Sequence, residues 1–333
     1  MLDRLDLLVI GECVADIVRL PGAADQVHPG GSPANVAYGL ARLGRNATLL
    51  TQLGPDDNGR LIRDHLATAG VEVRTDGATA PTPSAAVTLD GAGRAAYTFA
   101  ITWTLDPVSL DRSPHHVHTG SIAAVMSPGN ATVLGAVESL RAGATVSYDP
   151  NVRPELMGDH DAAVREVERC VALSDVVKAS DEDLEWLYPG HEPEQVAERW
   201  RTTGPALVLV TRGGDGALAV FAGGHVTVDA LPTDVVDTVG AGDAFMSGTL
   251  HALASRGLLG AGSRERLRSL DRDTVTDVLR HAAASAAVTV ARAGANPPDE
   301  AELEQALSWR QRPPTSIGRQ SRRPVSPSHL RRA

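Results

Sequence analysis

The chain has 333 residues, of which 42% are hydrophobic and 22% are charged, the proportions of an ordinary globular protein. Its formal charge of −10 argues against a general affinity for nucleic acid, and no apolar run approaches the roughly 20 residues that span a bilayer. Cys13 and Cys170 are too few for a disulfide framework, and the first residues lack the apolar core of a signal peptide. These properties predict a cytoplasmic protein that binds neither nucleic acid nor a membrane.

The charge is distributed unevenly along the chain. Residues 310–333 contain seven arginines and no acidic residue, with proline and serine between them. This composition favours a disordered, solvated tail, with contact to an acidic partner or a membrane surface as the alternative. We therefore expect one folded domain over residues 1–309, followed by a basic tail over 310–333.

Strands and helices alternate along most of the chain. The apolar patterns predict, in chain order, strands at 5–10, 47–51, 144–148, 176–178 and 206–211, and helices at 35–43, 59–69, 161–173, 181–187, 193–201, 243–255 and 273–291. This alternation predicts an α/β fold, with a doubly wound sheet that has helices on both faces.

Two hairpins interrupt the alternation. Residues 84–89 and 94–101 form strand-like runs on either side of Asp90-Gly91-Ala92-Gly93, a turn signal. A hairpin inserted in an α/β chain often forms a flap over a site, and we expect that arrangement here. The second predicted hairpin pairs 217–221 with 225–228.

A glycine-rich turn, Gly30-Gly31-Ser32-Pro33-Ala34-Asn35, directly precedes the first predicted helix. The Asn35 amide can donate and accept hydrogen bonds, which suits a ligand with several hydroxyl groups. The alternative is an ordinary turn that caps the helix.

Two further polar stretches follow predicted strands, where open α/β sheets bind their ligands. Arg153, in the stretch 149–154, has the geometry to clamp a phosphate or a carboxylate, with an ordinary surface arginine as the alternative. The stretch Thr211-Arg212-Gly213-Gly214-Asp215-Gly216 is either a tight turn or a loop that contacts a nucleotide.

His115, His116 and His118 form a local histidine cluster. Metal ligation requires convergent geometry that this spacing does not guarantee, so the cluster favours a plain loop. The glycine fingerprint of a dinucleotide site is absent after the first strand, which argues against a nicotinamide cofactor.

The most informative stretch is 237–245, in which a glycine-rich turn precedes Asp243 and a helical pattern. Gly240 and Gly242 leave the backbone free to approach a ligand, and unpaired N–H groups at a helix start attract phosphate. A carboxylate would repel that phosphate, unless Asp243 takes the proton from a hydroxyl that attacks it. The alternative is a turn in which the aspartate caps the helix.

Together, these residues resemble the PfkB, or ribokinase-like, family of carbohydrate kinases. Gly30–Gly44 is similar to the family's N-terminal signature, and Asp237–Phe245, about 200 residues later, is similar to its C-terminal signature. The resemblance extends from about residue 5 to residue 305. It implies a three-layer α/β/α sheet with a small β-lid, built from 84–101 and part of 12–29.

The resemblance also assigns roles to individual residues. It implies that Asp243 is the catalytic base and that Gly240, Ala241 and Gly242 form an anion hole around the transferred phosphoryl group. Asp16, Gly31 and Asn35 match positions that bind sugar hydroxyls, and we add Arg153 to the substrate side.

On the nucleotide side, the resemblance implies roles for Lys178, Ser180, Thr211, Gly213 and Gly216, together with the region 281–296. Loops that bind a monovalent cation in many members correspond to Asp237, Val239, Arg292 and Gly294. The family commonly has Asn-x-x-Glu where this chain has Ser180 and Asp183, so Asp183 is expected to support magnesium indirectly.

The expected activity is an ATP-dependent transfer of phosphate to a primary hydroxyl of a small sugar, with Mg²⁺ and possible use of K⁺. Fructose is the first candidate, because 149–153 and 178–184 resemble the fructokinase and 2-keto-3-deoxygluconate kinase branch. The alternatives are 2-keto-3-deoxygluconate, ribose or a nucleoside as substrate, and a sugar-sensing protein without catalysis. An open edge of the lid hairpin predicts a homodimer through the lid.

Overall fold

Two sheets organise the computed structural model, which describes residues 5–20, 22, 24–77, 79–89 and 95–309. The strands are β1 Asp6–Ile10, β2 Val14–Arg19, β3 Gln26–Gly30, β4 Asn46–Thr51, β5 Glu72–Thr75, β6 Ser84–Leu89, β7 Ala95–Ala100, β8 His116–Gly120, β9 Thr145–Asp149, β10 Val176–Ser180, β11 Leu207–Thr211, β12 Ala217–Phe221 and β13 Gly224–Val228. The helices are α1 Ser32–Arg42, α2 Asp57–Thr68, α3 Gly129–Leu140, α4 Pro154–Met157, α5 His160–Leu173, α6 Asp181–Leu187, α7 Pro193–Arg201, α8 Ala241–Ser255, α9 Arg264–Arg268, α10 Arg272–Val290 and α11 Glu300–Trp309. The predicted tail and the lid turn at 90–93 lie outside the described residues.

The larger sheet has nine strands in the order β13-β12-β11-β10-β9-β8-β1-β4-β5. Strand β1 pairs in parallel with both β4 and β8, so the chain winds outward from β1 in two directions. The antiparallel pairs of this sheet join β11 to β12 and β12 to β13. The predicted doubly wound class is confirmed, and the reversal of strand order at β1 creates a crevice at the carboxyl ends of the strands.

Helices cover both faces of the large sheet and make three layers. Along β1, Leu7 and Val9 pack with residues of α1, α8 and α10, whereas Leu8 and Ile10 pack with α3. Strands buried on both faces read as continuous apolar runs, and this explains why the sequence revealed them. Among the described helices, none combines the length and apolarity needed to cross a bilayer.

The smaller sheet, with order β3-β2-β6-β7, is formed by the segments predicted to make the lid, and we call it the lid. The hairpin predicted at 84–101 corresponds to β6 and β7, and the segment 12–29 contributes β2 and β3. Asp16 pairs in register with His28 of β3 and with Ala85 of β6, so the three side chains share one face of the lid.

The first helix starts earlier than predicted, at Ser32 rather than Asn35. Gly31 has a φ of 99°, which ends the preceding strand, and Pro33 lies in the first helical turn. Proline is well tolerated there, because its missing N–H would have no intrahelical partner. The Gly-Ser-Pro sequence therefore opens the helix instead of delaying it.

The loop predicted at the histidine cluster is wrong, because His116 and His118 belong to the buried strand β8. His116 hydrogen-bonds to the hydroxyls of Thr145 and Ser147 at 2.9 and 2.8 Å, and His118 bonds to Ser147 at 2.9 Å. Hydroxyls of the neighbouring strand thus bond both ring nitrogens of His116 and Nδ1 of His118, whereas the buried His118 Nε2 has no hydrogen-bond partner among the described residues. Such a strand lacks the apolar run by which buried strands are recognised.

We predict that the His116→Gln variant loses less stability on acidification than the wild type. Burial lowers the pKa of His116 to about 3, from 6.5 in the unfolded chain. The unfolded state therefore binds more protons below pH 6.5, and each such histidine removes about 1.4 kcal/mol of stability per pH unit in that range. Urea unfolding between pH 7 and 5 measures the slope. His225→Gln, at an exposed histidine, is the control, and equal slopes for all three proteins would contradict the prediction.

Candidate active site

The candidate site lies along the carboxyl edge of the large sheet. The chain leaves this edge after β1, β8, β9, β10 and β11, at Gly11, Ser121, Pro150, Asp181 and Arg212. Helices α1 and α8 point their N-termini towards the same edge. The predicted sugar and phosphate residues are thereby collected from segments that are far apart in sequence.

Asp243, in the first turn of α8, is the centre of this site and is 8% exposed. Its Oδ1 accepts a hydrogen bond from the Ser32 hydroxyl at 2.6 Å, and its Oδ2 accepts one from Asn35 Nδ2 at 2.8 Å. Both donors come from the first turn of α1. The two glycine-rich motifs of the sequence therefore meet in direct contact.

The glycine turn before α8 is required by close packing. Gly240 has a φ of 76°, and a Cβ added there would lie 2.6 Å from Ala295 Cβ. Ala241 donates its N–H to Thr238 O, so this donor of the predicted anion hole is already used in the turn. The start of α8 nevertheless carries the positive end of the helix dipole.

A buried ion pair lies directly below this helix start. Lys178 Nζ is 2.9 Å from Asp149 Oδ2, and the two residues are 3% and 0% exposed. A Cβ added to Gly242 would lie 2.8 Å from Nζ, so the ammonium group touches the glycine turn. Burial lowers the pKa of Lys178, but Asp149 and Asp183 outweigh it, and the net pKa is raised. Burial also raises the pKa of Asp149 to about 6 against the pull of Lys178, which leaves both groups charged at neutral pH.

On the predicted sugar side, the charge of Arg153 acts on two carboxyl groups, those of the buried Glu12 and the half-buried Asp16. Burial raises the pKa of Asp16 to about 6 and that of Glu12 to about 7, and Arg153 opposes both shifts. The Arg153 guanidinium donates to the carbonyls of Asn151 and Val152 at 3.3 and 2.8 Å. Arg153 is therefore near enough to both carboxyl groups to favour their charged forms.

Gly31 is fixed beside this group by its neighbours. With its φ of 99°, a Cβ there would lie 2.5 Å from Glu12 O, so only glycine fits. Glu12, which the sequence did not single out, accepts a hydrogen bond from Ala123 N at 3.2 Å. It links the loop after β1 to the turn after β8.

The predicted nucleotide residues continue along the same edge. Ser180 and Thr211 are register partners at the ends of β10 and β11. Gly216 has a φ of 86° and accepts from Arg212 N at 2.8 Å, and a Cβ on it would lie 2.0 Å from Val228 O. The geometry of the turn therefore explains why residue 216 is glycine. At Gly213, which has a φ of 49°, a Cβ would meet no neighbouring atom.

Asp183 braces two loops of the site. Its Oδ1 accepts from Val152 N at 2.8 Å, and its Oδ2 accepts from Ser180 N at 2.7 Å within a capping box. Both oxygens are thus engaged, which fits an indirect role towards a metal. In the part of the chain that is described, no three His, Cys, Asp or Glu residues converge on a metal position. Mg²⁺ that arrives on nucleotide phosphates needs only one or two carboxylates and water, so the residues fit it.

The two loops predicted to hold a monovalent cation are in contact. Asp237 accepts from Val239 N at 3.0 Å and from Gly294 N at 2.8 Å, and these bonds lower its pKa. Arg292 instead directs its guanidinium to Glu302. The arrangement brings Asp237, Val239 and Gly294 together, with the Arg292 side chain turned to α11.

A phosphate held against Lys178 and the start of α8 would lie next to Asp243, with Asn35 on the opposite side of the carboxylate. A hydroxyl that reaches Asp243 from the lid side would then face that phosphate. Together with the doubly wound sheet, this juxtaposition defines the class of the protein as a kinase that acts on a hydroxyl group.

The chain belongs to the pfkB family of carbohydrate kinases, whose family model matches residues 4–302. Fructokinase from Salmonella typhimurium is 36% identical over 264 residues, which cover 75% of this chain and 85% of that protein. The crystal structure of fructokinase with bound ATP from Xylella fastidiosa has a TM-score of 0.82 at 27% identity, over 93% of this chain and 100% of the other. A fructokinase double mutant from Vibrio cholerae O395, crystallised with fructose, ADP and potassium, has a TM-score of 0.76 at 27% identity, over 91% and 98% of the two chains.

These findings confirm the predicted family, the ribokinase-like fold and the ATP-dependent phosphorylation of a sugar. Three residues of the site, Glu12, Ser32 and Asp149, had no predicted role. Asp149 lies in a stretch that was flagged only for Arg153, and Ser32 was treated as part of a turn.

Proposed function

We propose that the protein transfers the γ-phosphate of ATP to a primary hydroxyl of fructose, with Asp243 as the general base. The sugar oxygen forms a bond to the γ-phosphorus while its proton passes to Asp243. The bond from the γ-phosphorus to the bridging oxygen breaks, and ADP leaves with that electron pair. The observation that carries this proposal is the position of Asp243 between the two predicted ligand sites. Asp243 contacts Asn35 on the sugar side, and it lies beside Lys178 and Gly242 on the phosphate side.

Charge on the transferred phosphoryl group is stabilised by Lys178 and by the positive end of α8. A preorganised cation at such a place needs no reorganisation when charge develops. Asp149 holds the ammonium group in position, and the pair is shielded from water. Magnesium, carried by the nucleotide, supplies further charge neutralisation, and Asp183 supports it through the loops that it braces.

A neutral sugar fits the substrate side better than an acidic one. Asp16, Gly31 and Asn35 bind the hydroxyls, and the charge of Arg153 acts on the same side of the site. The carboxylate of 2-keto-3-deoxygluconate would enter a pocket that already contains the carboxyl groups of Asp16 and Glu12, whose raised pKa values Arg153 only partly offsets. The relatives named as fructokinases support the same choice.

Nucleotide and cation occupy the other half of the edge. Ser180, Thr211 and Gly213 contact the nucleotide at the ends of β10 and β11, and Gly216 shapes that loop. The contact between the 237–239 and 292–294 loops supports a potassium site, in line with the potassium in the Vibrio structure. Lid closure excludes water from the phosphoryl group, and the open edges of β3 and β7 support a homodimer through the lid.

An ADP-release assay across fructose, ketodeoxygluconate, ribose and nucleosides, with and without potassium, tests the proposal. We expect the highest kcat/KM for fructose and a higher rate with potassium. Higher kcat/KM for another acceptor would overturn the substrate assignment. Sugar binding without ADP release from any acceptor would favour a sugar-sensing protein instead.

A further inference from the structure

We propose that Ser32 is a positioning residue that holds one oxygen of Asp243, so that the other oxygen takes the proton of the sugar. The inference rests on the proposed role of Asp243 as the base. It starts from the 2.6 Å hydrogen bond between the Ser32 hydroxyl and Asp243 Oδ1, which joins residues 211 apart in sequence. Both residues are 8% exposed, so water competes little for this bond.

The two residues that donate to Asp243 differ in the hydrogen-bonding groups that remain free for a substrate. The serine hydroxyl has a single proton, which it donates to Oδ1. The Asn35 amide has two N–H groups and an oxygen, so it retains a donor and an acceptor for a sugar hydroxyl while it contacts Oδ2. The sugar therefore approaches on the Oδ2 side, and Oδ1 stays with Ser32.

Asp243 needs such a restraint because the final torsion of its side chain rotates easily. The final torsion of an aspartate joins an sp³ to an sp² carbon and has no sharp minima, so the carboxylate plane rotates unless partners hold it. When the sugar engages Asn35, Ser32 becomes the partner that keeps the plane fixed. A misplacement of about 1 Å at a reacting group is enough to cost roughly 10²-fold in rate.

The backbone of Ser32 is itself fixed by close contacts on both sides. Gly31 packs against Glu12 O, as described above, and a Cβ on Gly11 would lie 2.3 Å from Pro33 Cγ. Helix α1 also approaches α8 closely, because a Cβ on Gly39 would lie 2.5 Å from Ser247 Oγ. Ser32 therefore presents its hydroxyl to Asp243 from a rigid position.

For Ser32→Ala we expect kcat for fructose to fall on the order of 10- to 100-fold, with KM changed by less than about threefold. Ser32→Thr restores the hydroxyl and should recover most of the rate. The matched control is Ser247→Ala, a buried serine of the same helix contact whose hydroxyl donates to Ala244 O. It should keep the wild-type kcat.

A double mutant separates positioning from a structural effect. If Ser32 acts through Asp243, adding Ser32→Ala to Asp243→Asn should change the residual rate by less than about twofold. An equal fold-loss in both backgrounds would overturn the inference, and so would a Ser32→Ala kcat within about twofold of the wild type. Both outcomes leave the proposed function intact. Failure of the wild type to release ADP with any sugar would overturn the proposed function and the Ser32 inference together.

Discussion

Replacing Asp243 by asparagine is expected to lower kcat by about 10²–10⁴, the loss typical of a missing general base. The asparagine keeps the size of the side chain and can accept the Ser32 hydrogen bond, but it has no basic oxygen for the sugar proton. In the wild type the Asn35 amide donates to Asp243 Oδ2, so in the variant the new NH₂ group would face another donor. The start of α8 depends on Gly240 and its neighbours, so the variant should remain folded.

Steady-state ADP release with fructose measures this effect, and thermal unfolding checks the fold. Asp159→Asn is the control, because Asp159 is an exposed aspartate that caps α5 by accepting from Ala162 N at 2.9 Å. It tests the alternative in which an aspartate at a helix start is only a cap. A kcat for Asp243→Asn within about threefold of the wild type would exclude Asp243 as the base.

For Lys178→Met we expect kcat to fall by about 10²–10³, the loss produced by removing one preorganised group that stabilises transition-state charge. Methionine fills most of the same volume but leaves no cation beside Gly242. KM for fructose should change little, because Lys178 lies on the phosphate side of Asp243. The effect is therefore concentrated in the transfer step.

Loss of the Lys178 cation also leaves Asp149 buried without its partner, which costs stability of about 3–5 kcal/mol. The control is Arg264→Met, which breaks the 2.9 Å ion pair with Asp175, the residue just before β10, whereas Lys178 lies in the middle of that strand. Rates measured below the unfolding range of both variants separate the two effects. Comparable kcat values for the two variants would show that Lys178 serves the fold and not the transfer.

The main features of the fold could be predicted because they have local causes. Strands such as β1 and β11 are apolar on both faces, and a run of such residues is visible without knowledge of the partner strand. The turn before α8 was equally readable, since Gly240 and Gly242 mark a backbone that approaches something closely. Local patterns thus located Asp243 and the edge of the sheet on which it lies.

The missed features depend on contacts between distant segments. Nothing near Ser32 indicates that its hydroxyl meets a carboxylate 211 residues later, and a serine before proline is typical of a turn. The sequence around His116 and His118 is typical of a solvent-exposed loop, because it does not show the hydroxyls of β9 to which their imidazoles bond. Helix α3 was missed because glycine, asparagine and threonine in 129–140 lower its intrinsic helix propensity.

The chain contains one lysine, and folding leaves its side chain beneath the surface, 3% exposed. Reagents that acylate lysine amines consequently find no lysine on the outside of the folded protein. Acylation of Lys178 requires the carboxyl edge of β10 to open and Asp149 to release the ammonium group. The extent of acylation at Lys178, read by mass on the peptide that contains it, thus follows local opening at the carboxyl edge of the sheet, without any introduced residue.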